Sequence, residues 1–215
     1  MPDAAHDRMP ELHRSWAHAW RGAGATGDGD AIHQALVAAY DEPHRKYHTS
    51  QHLNECIDLF ETVEGMALHA SEIELALWFH DAVYDVKRAD NEESSAAWAK
   101  SAVLQAGAAH QVADRIHSLV MVTRHTGVPA APDEQLLVDI DLAILGAGKE
   151  RFAEYERQIR EEYAFAPAWL FRRKRRAVLK SFLDRERIYG TDHFHERLEQ
   201  RARDNLRLAV GKEAT

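Results

Sequence analysis

Imidazole and carboxylate side chains occur in three separate stretches of this sequence, each in or beside an apolar segment. They are His48 and His52, the doublet His80-Asp81, and the pair Asp139 and Asp141. Neutral imidazole nitrogens and anionic carboxylate oxygens together suit Mn²⁺, Fe²⁺, Co²⁺, Ni²⁺ or Zn²⁺, and Mg²⁺ less well. If the side chains converge, the sequence predicts a divalent-metal site.

The His80-Asp81 doublet follows the apolar run 73–79. Adjacent residues of a regular helix point about 100° apart, so both side chains can reach one ion only where the helix ends. We expect Asp81 both to bind the metal and to orient an attacking nucleophile. Asp85, four residues further on, is a candidate general acid or a contact of a ligand, and equally a loop carboxylate in solvent.

His48 and His52 are four residues apart, which places two helical residues on one face. Thr49 or Ser50 can cap the helix that follows, so only His52 is expected to be helical. His48 is then either a loop residue bonded to the backbone or a group that contacts substrate.

Asp139 and Asp141 lie within an otherwise apolar segment, 136–145. Burying a carboxylate without a partner is costly, and a metal, a histidine or an arginine would offset that cost. Since the two residues face different sides of a helix, we expect only one of them to be a metal ligand.

The elements that must position these groups are all predicted to be helical, because Ala, Leu, Glu and Arg dominate and β-type alternation is scarce. A capping box at Ser71–Glu74 opens a helix that is apolar nearly all round and is therefore expected in the core. Asp90 and Asp133 are predicted caps of later helices, with Glu92 completing the first of these caps. The predicted helices cover 9–21, 30–40, 50–66, 71–81, 90–105, 109–123, 133–145, 149–163, 167–183 and 192–210.

The ordered set His52, His80-Asp81 and a late aspartate resembles the H…HD…D pattern of the HD-domain superfamily of metal-dependent phosphohydrolases. The strings 47–53, 78–85, 91–95, 123–126, 139–142 and 199–206 resemble one branch of predicted HD hydrolases, so the resemblance covers most of the chain. It implies a compact multi-helix bundle, with a single domain over residues 1–215. It implies the metal ligands His52, His80, Asp81 and Asp141, with Asp139 as the fallback.

The activity implied by this resemblance is hydrolysis of a small phosphoester, possibly a nucleotide, by a metal-activated water. Asp81 and Asp85 are the candidate catalytic groups. His48, Arg124 and His125 are the candidate substrate-binding groups: Arg124 could clamp a phosphate, and His125 could bind phosphate or a second metal. Two other functions stay open at this point, a di-iron oxygenase on the same scaffold and a non-catalytic ligand-binding protein braced by metal.

Composition limits the partners. The 215 residues carry 27 basic and 35 acidic side chains, a net charge of −8, which disfavours nucleic acid and anionic membranes as partners. The basic run 172–176 is expected to be solvated, with one or two interior ion pairs. A single cysteine, Cys56, excludes an intrachain disulfide, and neither a secretory signal nor a membrane-spanning stretch is evident. We therefore expect a cytoplasmic protein, with a homodimer possible.

Overall fold

The computed structural model describes the backbone of residues 4–212 and the side chains of residues 13–211. Every regular element in that range is helical, so the all-α prediction is confirmed. Short 3₁₀ turns at Glu64–Met66, Val122–Arg124 and Leu142–Gly146 continue α3, α6 and α7. The α-helices are α1 (Ala4–Gly22), α2 (Asp30–Tyr40), α3 (Ser50–Val63), α4 (Ala70–Phe79), α5 (Asn91–Gln105), α6 (His110–Met121), α7 (Pro132–Asp141), α8 (Lys149–Glu162), α9 (Ala168–Leu183) and α10 (Asp192–Lys212).

Helix α4 is the centre of the bundle. All its residues from Glu72 to Phe79 are buried, and it contacts α1, α3, α5, α6 and α7. Trp16 of α1 packs edge-on against Trp78, with ring centroids 5.5 Å apart. The prediction that this helix lies in the core is confirmed. Its burial holds the residues at its carboxyl end, His80 and Asp81, in a fixed place.

The buried apolar residues form one continuous cluster from Trp16 in α1 to Ala209 in α10. Helix α10 packs across the 3₁₀ turn after α7 and along α9. Gly146 permits this close approach, because a Cβ there would lie 2.8 Å from the Cβ of Leu198. The single-domain organisation stays a prediction. None of the helices within residues 4–212 combines the length and apolarity that crossing a bilayer requires.

The helix starts follow the sequence only in part. Thr49 caps α3 as predicted, and its hydroxyl accepts a hydrogen bond from the backbone N–H of Gln51 at 3.3 Å. Ser71, however, lies inside α4, which begins at Ala70. The carboxylate of Glu74 accepts from Ser15 of α1 instead of closing a capping box.

Two predicted caps bind elsewhere. The Asp133 carboxylate accepts from the backbone N–H groups of Leu68 at 2.8 Å and His69 at 3.1 Å, so it fixes the start of α4 rather than that of α7. Asp90 pairs with Arg88 at 2.7 Å and makes no cap hydrogen bond. In both cases a tertiary or neighbouring donor competes successfully with the local helix end.

Candidate metal centre

Four side chains from three helical segments meet at one point. The Nε2 atoms of His52 and His80 lie 3.1 Å apart. Asp141 Oδ1 lies 3.2 Å from His52 Nε2, and Asp81 Oδ2 lies 3.1 Å from His80 Nε2. The two remaining nitrogen–oxygen distances are both 3.7 Å. The structure therefore brings together the end of α3's first turn, the end of α4 and the end of α7.

The hydrogen bonds of the two rings direct their Nε2 lone pairs towards this point. His80 Nδ1–H donates to the Leu77 carbonyl at 2.7 Å, and a carbonyl can only accept, so the neutral ring carries its lone pair on Nε2. When His52 offers its own Nε2 lone pair, its Nδ1–H donates to the Tyr47 hydroxyl oxygen 3.1 Å away. Such partners orient histidines at metal sites.

The separations between the donor atoms fit a small cation. Ligands about 2.1 Å from a metal lie about 3.0 Å apart at right angles and about 3.4 Å apart in a tetrahedron. The three shorter separations, 3.1–3.2 Å, lie within this range, and the two of 3.7 Å are slightly longer. Two Nε2 lone pairs facing each other at 3.1 Å repel unless a proton or a cation lies between them. His52, Cys56, His80 and Asp141 could therefore hold a metal ion, and Asp81 lies beside them.

The two carboxylates of this cluster are ionised. Burial alone would raise the pKa of Asp81, yet the imidazoles of His80 and His48 hold it well below its ordinary value. Burial likewise opposes ionisation of Asp141, but hydrogen bonds from His125 and His52 keep its pKa low. Burial lowers the pKa of His80, but Asp81 and Asp141 outweigh burial and raise it to about 9, so without a metal a proton on His80 offsets part of the negative charge that a divalent cation would balance.

His125 holds the outer oxygen of Asp141. Its Nε2–H donates to Asp141 Oδ2 at 2.9 Å, while Oδ1 faces His52. The residue has a left-handed backbone, φ 54°, and its carbonyl accepts from Arg185 at 2.9 Å. His125 also lines the cavity described below, so its ring is in a position to contact a substrate. Its side-chain hydrogen bond, however, is with Asp141 of the cluster.

Cys56 is a neighbour of the cluster that the sequence argument missed. It lies one turn after His52, and its Sγ is 3.7 Å from His52 Nδ1 and 3.8 Å from Nε2. Nearly equal distances place the sulfur beside the ring rather than along the Nε2 lone pair. Burial raises the pKa of the Cys56 thiol well above its ordinary value. Among the groups near the cluster, Asp81 therefore has the better ligand geometry, and the i, i+4 spacing was the signal for Cys56.

Glu162, at the end of α8, was also missed, and it organises the loop that carries His48. Its Oε1 accepts from the backbone N–H groups of Lys46, Tyr47 and His48 at 2.8–3.1 Å. Its Oε2 accepts from His48 Nδ1–H at 2.9 Å and from the Tyr84 hydroxyl at 2.7 Å. Although burial opposes ionisation, the His48 ring and these N–H groups lower the pKa of Glu162 to about 2. His48 is left with Nε2 as its available ring nitrogen.

Arg45 is buried, so its guanidinium is not a surface group that is available to bind phosphate. Its guanidinium donates to the carbonyl oxygens of His48 at 3.3 Å, Asp81 at 2.6 Å and Ala82 at 3.0 Å. It also pairs with Glu42 at 3.0 Å. These bonds tie the loop after α2 to the backbone of Asp81, and they satisfy carbonyls of the turn that follows α4.

Asp139 does not reach the cluster. Its Oδ1 accepts from Gly190 N–H at 2.7 Å, and its Oδ2 accepts from the backbone N–H and hydroxyl of Thr191 at 2.8 and 2.6 Å. It anchors the start of α10. Of the two aspartates, the one that reaches the cluster is therefore Asp141, which is the last residue of α7.

Two predicted site residues lie away from the cluster. Asp85 is exposed, and its carboxylate accepts from the backbone N–H of Lys87 at 2.9 Å. Arg124 pairs with Glu93 at 2.8 Å on the surface. Neither lines the cavity next to the metal ligands. The catalytic role predicted for Asp85 and the phosphate-clamping role predicted for Arg124 have no geometric support.

A cavity of about 850 Å³ opens beside the cluster. Asp81 and Asp141 line it, together with His48 and His125, whereas His52 is buried behind them. The volume is within the range of pockets that bind small molecules. Glu92 also lines this cavity and is not the cap residue that the sequence predicted.

Comparison with known proteins adds no assignment: no family model, curated protein or solved structure matches this chain. The likeness to the HD-domain superfamily stays a prediction that depends on the residues themselves. The function must be argued from the geometry of the site.

Proposed function

We propose that this chain is a metal-dependent phosphohydrolase of the HD type, acting on a small phosphoester. The observation that carries the proposal is the convergence of His52, His80, Asp81 and Asp141, in the order of the H…HD…D pattern, at the base of an open cavity. The metal identity and the substrate follow from neither distance nor ligand type alone.

His52, His80, Asp81 and Asp141 would hold the cation. A divalent cation at this place supplies an activated water and polarises a phosphoryl oxygen. The two carboxylates line the cavity, so a phosphoryl group reaches the centre from their side. Arg45 keeps Asp81 in place by binding its backbone carbonyl at 2.6 Å.

His48 is our candidate for the proton donor to the leaving oxygen. Glu162 holds its Nδ1–H at 2.9 Å, and the ring lines the cavity. Burial lowers the pKa of His48, but the Asp81 and Glu162 carboxylates outweigh burial and raise it overall. A carboxylate that orients an imidazole in this way is a recurrent arrangement in acid–base catalysis.

One observation favours a second function, a non-catalytic protein braced by metal: the ligands join α3, α4 and α7. In that case the metal would raise thermal stability and no phosphoester would be turned over. The open cavity beside the carboxylates is what makes catalysis the better proposal.

The experiment is elemental analysis of the purified protein, followed by a phosphoester panel with each divalent metal. Asp81→Asn should lower kcat/KM at least about 100-fold, because the substitution removes the negative charge of a proposed metal ligand. Asp85→Asn is the matched control, since Asp85 is exposed and outside the cavity, and should retain full activity. Unchanged activity in Asp81→Asn, or no turnover of any ester by the metal-loaded protein, would overturn the proposal.

A further inference from the structure

Part of the cavity wall is apolar. It is built by Ile159 of α8 and by Leu170, Phe171, Val178 and Phe182 of α9. Val178 is 46% exposed although it faces this concavity. Apolar side chains left in contact with water around a concave site mark a surface that binds apolar ligand groups.

Three polar side chains of the cavity wall bind protein partners. Within the described part of the chain, Asn91 is the one carboxamide that lines the cavity, and both its side-chain atoms bind the backbone of Asp85, at 3.1 and 2.9 Å. The Thr123 hydroxyl donates to a carbonyl at 2.7 Å, and Arg175 pairs with Glu156 at 2.5 Å.

A nucleobase or a sugar placed against the five apolar side chains would find no hydrogen-bond partners on them. Each such loss costs binding free energy, because the group gives up water and gains nothing. A hydrocarbon or aryl group has no such groups to satisfy. The wall therefore discriminates against nucleotides, which the sequence left open as substrates.

Basic side chains also line the cavity. They include Lys87 and Lys174, the second of which lies on α9 between Phe171 and Val178. Lys87 Nζ lies 5.4 Å from the centroid of the Phe165 ring, beside the apolar part. Ammonium groups at these positions complement a phosphate dianion.

We propose that the substrate is a phosphomonoester whose alcohol is a hydrocarbon body of about six or more carbons, held against the α8–α9 wall with its phosphate at the metal centre. The inference rests on the proposed function for the place of the phosphate. The inference that the alcohol part of the substrate is a hydrocarbon depends on the apolar wall alone.

The probes are ethyl-, butyl-, hexyl- and octylphosphonate, which have a C–P bond that phosphoester hydrolysis cannot cleave. Their dissociation constants are measured by calorimetry on the metal-loaded full chain, below the concentrations at which they form micelles. Each methylene buried against the wall should tighten binding about fourfold. Octylphosphonate should therefore bind at least about 100-fold more tightly than ethylphosphonate, and more tightly than the phosphonate analogue of AMP.

Two variants distinguish binding at this wall from nonspecific hydrophobic binding elsewhere on the protein. Val178→Asp places a carboxylate on the wall at a half-exposed position that tolerates it, and should reduce the octyl-to-ethyl affinity ratio at least about tenfold. Leu208→Asp is the control, because Leu208 is 56% exposed on α10 and outside the cavity. It should leave the ratio unchanged.

The outcomes separate the two proposals. Affinity that does not rise with chain length, or that is highest for the AMP analogue, overturns the inference even if phosphoesters are hydrolysed. Tight octylphosphonate binding that Val178→Asp weakens, without turnover of octyl phosphate, supports the inference about the body and overturns the proposed function. An equal loss of the affinity ratio in Leu208→Asp also overturns the inference, because the effect would not belong to this wall.

Discussion

Two carboxylates, two residues apart in α7, should respond in opposite ways to the same substitution. Asp141→Asn removes a charged oxygen 3.2 Å from His52 Nε2, and we expect it to abolish metal binding. Asp139→Asn acts on a carboxylate that accepts from Gly190 and Thr191, and we expect it to lower stability while the metal stays bound.

The magnitudes follow from linkage and from hydrogen bonding. A metal present at 100 times its Kd stabilises the native state by about 2.7 kcal/mol. For a chain of this length that corresponds to about 5–10 °C in Tm, which EDTA should remove from the wild type and from Asp139→Asn but not from Asp141→Asn. Asp139→Asn turns one of its oxygens into an NH₂ group facing an N–H donor, a cost of about 1–3 kcal/mol, or about 2–12 °C.

The assay is differential scanning calorimetry with and without EDTA, together with elemental analysis of each variant at equal protein concentration. The reasoning is refuted if Asp141→Asn keeps a full equivalent of metal and a Tm that EDTA lowers. It is refuted equally if Asp139→Asn is the variant that loses the metal.

Three further predictions use other contacts. Cys56→Ser should keep the metal, measured by elemental analysis; its loss would make the sulfur a ligand. Glu162→Gln should lower kcat about 10–100-fold with the metal retained, because His48 loses its orienting carboxylate; an unchanged kcat in steady-state kinetics would remove His48 from the mechanism. Burial raises the pKa of Glu74 from 4.5 to about 7, so the native state is progressively destabilised relative to the unfolded chain as the pH rises through that window. Glu74→Gln should therefore raise the free energy of unfolding in urea by up to about 3 kcal/mol at pH 8 and hardly at pH 4.5; an equal effect at both values would contradict this.

The sequence was sufficient where a signal is local. The apolar run 73–79 predicted a core helix, and all its residues are buried. The order of His52 and His80-Asp81 identified side chains that do converge, because each lies at or near a helix end whose direction the surrounding apolar pattern sets. Thr49 capped its helix for the same local reason.

The sequence was insufficient where a partner is distant. Glu162 lies 114 residues from His48, and no spacing rule connects them. Arg45 is buried by hydrogen bonds to the carbonyl oxygens of Asp81 and Ala82, 36 and 37 residues away, which no local pattern predicts. Helical periodicity predicted that Asp139 and Asp141 lie on different faces of α7. It could not predict which of these faces contacts His52, because the contact depends on how α7 packs against α3.

The charge balance around the centre explains why a cation is expected there at all. Arg45 is matched by Glu42 and by carbonyl oxygens, and Glu162 is matched by five N–H or O–H donors. Asp81 and Asp141, in contrast, face imidazoles that cannot neutralise them without taking up protons. Burying two carboxylates is unfavourable unless positive charge accompanies them. Protons on the histidines or a divalent cation can supply that charge: one proton would pair the two Nε2 atoms, 3.1 Å apart, in an N–H···N hydrogen bond, whereas a cation would accept both lone pairs and balance both carboxylates.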